Sequence, residues 1–392
     1  MKTPRFVSDF RQRARLRAID KFLDNYKIPQ TQKNGNVALW AAPRLLTNVG
    51  DRALVQGAIA GIGADSTVLL TRDTGFIGLA PNKEVKLSPA LASGSASDFK
   101  TAFMQLATDI ASCKKFIMIG ADIMDGKYSP EGAWRRWRIA AWMQKNLGDA
   151  AVISMSWNES PHAQALSAIK HSDSVGVTIF CRDEISQERL AKENVSSVFA
   201  ADVSFIRTDK IEPSSEITEW FKSGKQNIIV TVSDWVVNDP AMKQLLIQKL
   251  TGLDPTSFQI LYVPMVTDGS STDYEACEML SMATGGKVLS SLPNPGELRW
   301  IASRSIFGIS ARMHCCLLGF AAGMPAIGIE YQGKFKGTFM TFGHLRFAIS
   351  PANFVDEFSN RFDEILVDHA KLRSELEAQV SDVSLLARKA TS

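Results

Sequence analysis

Long apolar runs are missing from this chain of 392 residues. No stretch of 18 or more apolar residues occurs, so no segment is expected to span a membrane. Cysteine is scarce and unpatterned. The five cysteines, at 113, 181, 277, 315 and 316, are odd in number and show no Cys-x-x-Cys spacing. That argues against a disulfide framework and a zinc site, and fits reduced thiols in a cytoplasmic protein. No Gly-x-Gly-x-x-Gly follows the first strand-like run, and there is no Walker loop and no His-Glu-x-x-His. Nicotinamide, ATP and zinc chemistry therefore have no sequence support, and no cofactor or metal is expected. A strong charge of one sign is also lacking: the net charge of +3 does not call for a nucleic-acid partner. Met1-Lys2-Thr3-Pro4-Arg5 leads into a charged stretch, unlike the apolar core of a signal peptide. No short repeat or low-complexity tract is present.

What is there fits a soluble globular protein, 45% hydrophobic and 22% charged, and long enough for two domains. A helical pattern with many arginines covers about 8–25. Strand-like apolar runs follow at 37–40, 67–70, 116–119, 151–154, 175–180 and 198–200, with helical patterns near 98–112, 131–146, 161–170 and 183–193 between them. The polar segment 206–225 reads as a hinge. The alternation then restarts, with strands at 227–232, 258–263, 307–310 and 326–329 and helices near 240–250, 272–283 and 312–322. One long helical pattern, with a break near Ser381, fills 352–390. Strands alternating with helices mean mostly parallel sheets covered on both faces. The expected fold is α/β: two Rossmann-like lobes in a GT-B-like arrangement with an interlobe cleft. The lobes are 1–205 and 226–350, and the terminal helix at 351–392 is expected to fold back on the first lobe.

Ligands of open α/β sheets bind beyond the carboxyl ends of strands, so residues just after strand-like runs matter most. Four places stand out. In the first, Asn48-Val49-Gly50-Asp51-Arg52 opens a helix, where Gly50 permits close approach or positive φ and the first N–H groups offer an anion site. Asp51 could equally cap that helix. In the second, Phe180-Cys181-Arg182-Asp183-Glu184-Ile185-Ser186 ends a strand in an arginine that the helix dipole does not favour. Arg182 is read as an anion-binding fork or as an ion-pair partner of Asp183 or a nearby carboxylate.

The third place, Gly308-Ile309-Ser310-Ala311-Arg312-Met313-His314, puts an arginine and a histidine at the first turn of a helix. That combination suits a general acid beside an anion-binding group, or else a histidine satisfied by backbone. The same residues approximate a Gly-x-Ser-x-Gly elbow without its last glycine, which speaks against a serine hydrolase. In the fourth, a strand ending at Ile329 delivers Glu330 and Tyr331, with Lys334 close behind. These are donor-binding or nucleotide-binding groups, or a solvated edge.

The run Trp134-Arg135-Arg136-Trp137-Arg138, with Trp142, could stack on sugar and meet the diphosphate of a lipid-linked acceptor, or be core aromatics with a solvated basic face. The basic N-terminal helix could rest on an anionic membrane surface or pack on the first lobe. His162 and His344 are lesser candidates for substrate contact.

With these residues in view, the chain resembles the polysaccharide pyruvyltransferase family. The likeness runs in order through most of 35–345: Thr47-Asn48-Val49-Gly50-Asp51-Arg52, Ile119-Gly120-Ala121-Asp122, Arg182-Asp183-Glu184-x-Ser186, Ala201-Asp202-Val203-Ser204-Phe205, Arg312-x-His314, and Gly323-x-Pro325 leading to Tyr331-x-x-Lys334. The resemblance implies a GT-B-like transferase that uses phosphoenolpyruvate to place a pyruvate ketal on a hexose of a cell-surface or exopolysaccharide repeat unit. It implies that Arg182, Arg312 and His314 hold the donor, with His314 as general acid and Tyr331 and Lys334 assisting. On the acceptor side it leaves Asn48, Gly50, Asp51, Asp122 and Glu330. Asp51, Asp122, Asp268 and Glu330 are the candidates for the base. The implied partners are phosphoenolpyruvate and a glycan, lipid-linked or free, in the cytoplasm or at the inner face of the membrane. Ala311 stands where the family often has glycine, and 154–161 departs from its usual glycine-rich stretch. Two alternatives stay open: a nucleotide-sugar glycosyltransferase of GT-B type, and a non-catalytic glycan-binding relative.

Overall fold

The computed structural model describes residues 5–73, 83–206, 212–267, 272–331, 333 and 335–392, with side chains from residue 11 onward. The chain divides into two compact units. The first comprises 1–43, 61–200 and 390–392, and the second 44–60 and 201–389.

The first unit is built on seven strands: β1 (Val37–Trp40), β2 (Thr67–Thr71), β3 (Lys83–Lys86), β4 (Lys115–Ala121), β5 (Ala150–Met155), β6 (Thr178–Cys181) and β7 (Val198–Phe199). Their order is β3-β2-β1-β4-β5-β6-β7, every pair parallel. β1, β2 and β5 are buried along their whole length, because helices cover both faces. The flanking helices carry recognisable signals. Ser95 and Asp98 form a capping box for Ala96–Asp109. Pro130 opens Pro130–Leu147, and Gly148, at φ 88°, closes it in the left-handed conformation that only glycine adopts without strain.

The second unit repeats the plan with β8 (Gln226–Thr231), β9 (Phe258–Tyr262), β10 (Lys287–Val288), β11 (Ser305–Ser310), β12 (Ala326–Ile329) and β13 (Ala348–Ile349). The order is β10-β9-β8-β11-β12-β13, again all parallel. In each sheet the chain reverses its winding direction between two central strands, β1 and β4 in the first and β8 and β11 in the second. Those crevices are where such sheets bind ligands. The expected α/β fold with two Rossmann-like units and a long terminal helix is what the structure has.

Three boundaries differ from the expected ones. Residues 44–60, expected in the first lobe, cluster with the second unit. Their anchor is a bridge: Val49 N–H donates to Met265 O at 3.0 Å and Thr267 N–H to Thr47 O at 2.9 Å, while Val49 and Ala53 are buried in the second core. The expected hinge contains a helix, Ser215–Trp220, with Ile217 buried in that core and Glu216 held by Lys287 and Ser290. The terminal helix Phe354–Arg388 runs unbroken through Ser381 and belongs to the second unit, and only 390–392 join the first. Its buried stripe of Phe354, Phe358, Phe362, Ile365, Leu372 and Leu376 follows helical spacing, and Phe362 meets Phe307 of β11 edge to face at 5.6 Å. Burial of each such phenylalanine contributes about 1.5–3 kcal/mol, which fixes the helix where its apolar face has a sheet to cover.

Candidate functional site

The second unit gathers several predicted residues at its β8/β11 crevice. β11 ends at Ser310, and the next residues turn sharply into the helix Met313–Phe320. Ser310 makes that turn: its Oγ accepts from Arg312 N–H at 3.0 Å and donates to Arg312 O at 2.9 Å, while Ala311 N–H donates to Thr231 O across the crevice at 2.9 Å. A serine committed to its own turn is not a nucleophile, which disposes of the elbow reading.

Arg312 stands immediately before the helix. Its Nε and Nη2 form a fork on Asp273, at 3.1 Å and 2.7 Å to Oδ1, and Tyr331 hydrogen-bonds the same guanidinium. Asp273 is fully buried and also accepts the N–H groups of Met265 and Val266, both at 3.0 Å. Burial works against the charge on Arg312, but the Asp273 carboxylate outweighs it and raises the guanidinium above its ordinary value. The arginine is thus charged and held in one orientation before any ligand arrives.

His314 sits in the first turn of the helix with 14% of its side chain exposed. Its ring packs on Gly50, where a Cβ would lie 2.5 Å from Nδ1. Its Nε2 lies 3.7 Å from Asp202 Oδ2, beyond hydrogen-bond length but close enough to give an imidazolium an anionic partner. Asp202 is itself buried and accepts Ser204 N–H at 2.9 Å. The arginine and the histidine of this turn therefore each have a buried carboxylate behind them.

The remaining predicted residues fall as follows. Asn48 and Gly50, expected on the acceptor side of the first lobe, lie in the second unit. Asn48 Oδ1 accepts Gly50 N–H at 2.8 Å and so caps the helix Val49–Ile62, and Gly50 makes room for His314. Asp51 does not serve as the cap; its Oδ2 accepts Arg44 N–H at 2.9 Å. Glu330 is buried at the end of β12, its N–H donating to Ile349 O at 2.8 Å, and Tyr331 lies 5.8 Å from the Trp235 ring. Lys334 and Asp268 lie outside the described residues. His344 is buried against Phe320 and Phe347 with Glu375 3.4 Å away, a core position instead of a substrate contact.

In the first unit, Arg182 follows β6 and is 3% exposed. Its Nε donates to Ser156 Oγ at 2.7 Å, and that hydroxyl donates to Asp183 Oδ2 at 2.9 Å. Asp183 caps its helix through Ser186 N–H at 2.7 Å. Asp122 follows β4, and its Oδ2 accepts the Tyr128 hydroxyl at 3.2 Å. The residue before it, Ala121, has φ 47°, a left-handed conformation costly for any residue but glycine and frequent beside functional sites. His162 caps the helix Ala163–Ser174, with Nδ1 accepting Gln164 N–H at 3.2 Å.

Two residues that serve the site went unassigned at the level of sequence. Asp202 was visible only as part of a short motif, and Asp273 only as an acidic residue in a first helical turn, where it passes for a complement to the dipole. All five thiols are free and buried, and burial pushes Cys181 and Cys277 up to about 12. Among the described residues no group of three or more His, Cys, Asp and Glu could hold a metal ion, and no helix is long and apolar enough to cross a membrane.

The chain matches the family model described as polysaccharide pyruvyl transferase over residues 15–333. No curated protein matches it. Among solved structures it is similar to UDP-GlcNAc 2-epimerase from Methanocaldococcus jannaschii, at 9% identity and TM-score 0.56 over 84% of this chain and 91% of that one. It is similar to the Neisseria meningitidis UDP-GlcNAc 2-epimerase bound to UDP-GlcNAc, at 10% identity and TM-score 0.54 over 88% and 94%. A third likeness is the N-terminal domain of Candida albicans trehalose-6-phosphate phosphatase, at 12% identity and TM-score 0.55 over 93% and 97%. At these identities the structural likenesses establish the GT-B-like fold and nothing finer.

Proposed function

The chain belongs to the polysaccharide pyruvyl transferase family, and from that premise we propose that it transfers pyruvate from phosphoenolpyruvate to a hexose of a polysaccharide repeat unit, with His314 as general acid. The observation that carries this reading is the pairing of a pre-oriented guanidinium, Arg312 on Asp273, with a histidine two residues further on that is seated on Gly50 and backed by Asp202. Arg312 and the N-terminus of the helix Met313–Phe320 suit a small, multiply charged donor, and each charge-assisted hydrogen bond there is worth about 1.5–3 kcal/mol.

In the proposed reaction, the His314 imidazolium gives its proton to the donor's methylene carbon, which becomes a methyl group. The adjoining carbon becomes cationic and a sugar hydroxyl oxygen attacks it, releasing a proton. The carbon–oxygen bond to phosphate then breaks. A second hydroxyl of the same sugar closes the ketal and releases its proton; of the two hydroxyl protons one restores His314 and the other leaves on the phosphate as hydrogen phosphate. Asp202 is given the task of orienting His314 and balancing its charge. Arg182, a buried arginine after a strand end, is proposed as an anion-binding residue of the first unit.

The test is incubation with phosphoenolpyruvate and a panel of glycans, scored by phosphate release and product mass. Phosphate release coupled to a glycan that gains one pyruvate less one water supports the reading. Thermal stabilisation by nucleotide sugars but not by phosphoenolpyruvate would replace it with a glycosyltransferase.

A further inference from the structure

The arginines of the run 134–138 have separate fates in the first unit. Arg135 is fully buried and donates to the carbonyls of Ala90 at 2.7 Å, Ser93 at 3.2 Å and Gly94 at 2.7 Å, and to Glu131. Arg138 pairs with Asp20 at 2.6 Å and Asp24 at 3.1 Å. Both fasten the helix Pro130–Leu147 to its own unit. Arg136 does neither, and among the described residues no hydrogen bond or ion pair engages it. It opens instead onto a pocket shared with Arg72, which is likewise without a described partner, and lined by Trp40, Pro43, Leu87 and Ile123. Burial, and then the positive charge of Arg72, push Arg136 down to about 10.

Two like charges facing one small pocket repel one another, and Arg136 also loses hydration, an arrangement that becomes favourable once an anion bridges them. The position agrees with that chemistry. Trp40 ends β1, Arg72 follows β2, and Ile123 follows β4, so the pocket lies at the carboxyl ends of the strands where the first sheet reverses its winding.

We propose that Arg72 and Arg136 form an anion-binding subsite in the first unit that holds one phosphate group of a phosphorylated sugar acceptor. The identity of the carrier rests on the transferase reading above; the anion subsite does not.

Calorimetric titration of the full chain tests it, using pyrophosphate, glucose 1-phosphate, inorganic phosphate and glucose as probes. The titrations are made in an Arg312→Gln background so that the second unit's anion site contributes little. Binding of pyrophosphate and glucose 1-phosphate should persist there, and adding Arg72→Gln or Arg136→Gln should weaken each about tenfold or more. Arg72 is exposed, so its substitution leaves the core intact, and Arg136→Lys should recover part of the binding. Unchanged affinity in both glutamine variants overturns the subsite. Glucose 1-phosphate binding no tighter than inorganic phosphate overturns the sugar carrier. Failure of the donor reading shows separately, as phosphoenolpyruvate affinity unaffected by Arg312→Gln in the otherwise unaltered chain.

Discussion

The imidazole of His314 occupies the space left by the missing side chain of Gly50: a methyl group there would lie 2.5 Å from Nδ1 and 2.7 Å from Cγ. Glycine at the second position of the helix Val49–Ile62 is thus required by a neighbour from elsewhere in the chain. Its own φ is not in the left-handed range. Replacing a helical glycine by alanine ordinarily stabilises by about 1 kcal/mol. Here Gly50→Ala is expected to displace the ring, and a displacement of about 1 Å costs on the order of 100-fold in turnover. Steady-state kinetics beside a melting curve should show kcat falling steeply while Tm moves little. A variant with ordinary kcat would mean that the ring position does not matter.

The fork between Arg312 and Asp273 leads to a second expectation. Lysine keeps the charge but not the planar pair of donors, so Arg312→Lys should weaken phosphoenolpyruvate binding about tenfold or more. Asp273→Ala removes the partner of a largely buried arginine and strips two backbone N–H groups of their acceptor, a change expected to cost about 3–5 kcal/mol. Donor titration checks the first and chemical denaturation the second. An Asp273→Ala variant as stable as the parent would show that the pair carries no structural burden.

His344 gives the protein an acid-sensitive point. Burial lowers its pKa from the ordinary 6.5, Arg346 lowers it further, and Glu375 offsets part of the effect. The unfolded chain therefore takes up this proton more readily than the folded one. Stability from neutral His344 is fully present above about pH 6.5 and is lost as the pH falls through the folded value, at up to about 1.4 kcal/mol per pH unit for one proton. His171 and His369, also lowered by burial, act in the same direction. Denaturation midpoints measured from pH 7 downward should fall, and His344→Leu should flatten the slope. An unchanged slope would remove His344 from the account.

Much of the fold was legible because its central strands are continuous apolar runs bounded by turn residues: 37–40, 116–119, 227–232 and 307–310 all became strands. The edge strands were not. Lys83–Lys86 is half exposed and charged, and Lys287–Val288 and Ala348–Ile349 are two residues each, too short to show any period. The unit boundary at 44–60 was hidden for another reason. A bridge from Thr47–Val49 to 265–267 joins segments more than two hundred residues apart, and local pattern carries no trace of such a pairing. At the site, Arg312 and His314 could be read because they follow a strand directly. Asp202 and Asp273 could not, since a buried carboxylate behind a basic side chain looks in sequence like any helix-start acid. Arg135 and Arg136 are adjacent and chemically alike, and only tertiary contacts separate the one that is fully bonded from the one that faces a pocket.

In the proposed reaction His314 supplies the proton to the donor. The direct measurement compares phosphoenolpyruvate binding and turnover in His314→Asn with those of the unaltered chain, using whichever glycan the panel identifies. Phosphoenolpyruvate affinity should stay within a few-fold and the melting curve unchanged, while kcat falls by about 10²–10⁴-fold, the usual contribution of a general acid. Turnover close to that of the unaltered chain, with the donor bound normally, would contradict it.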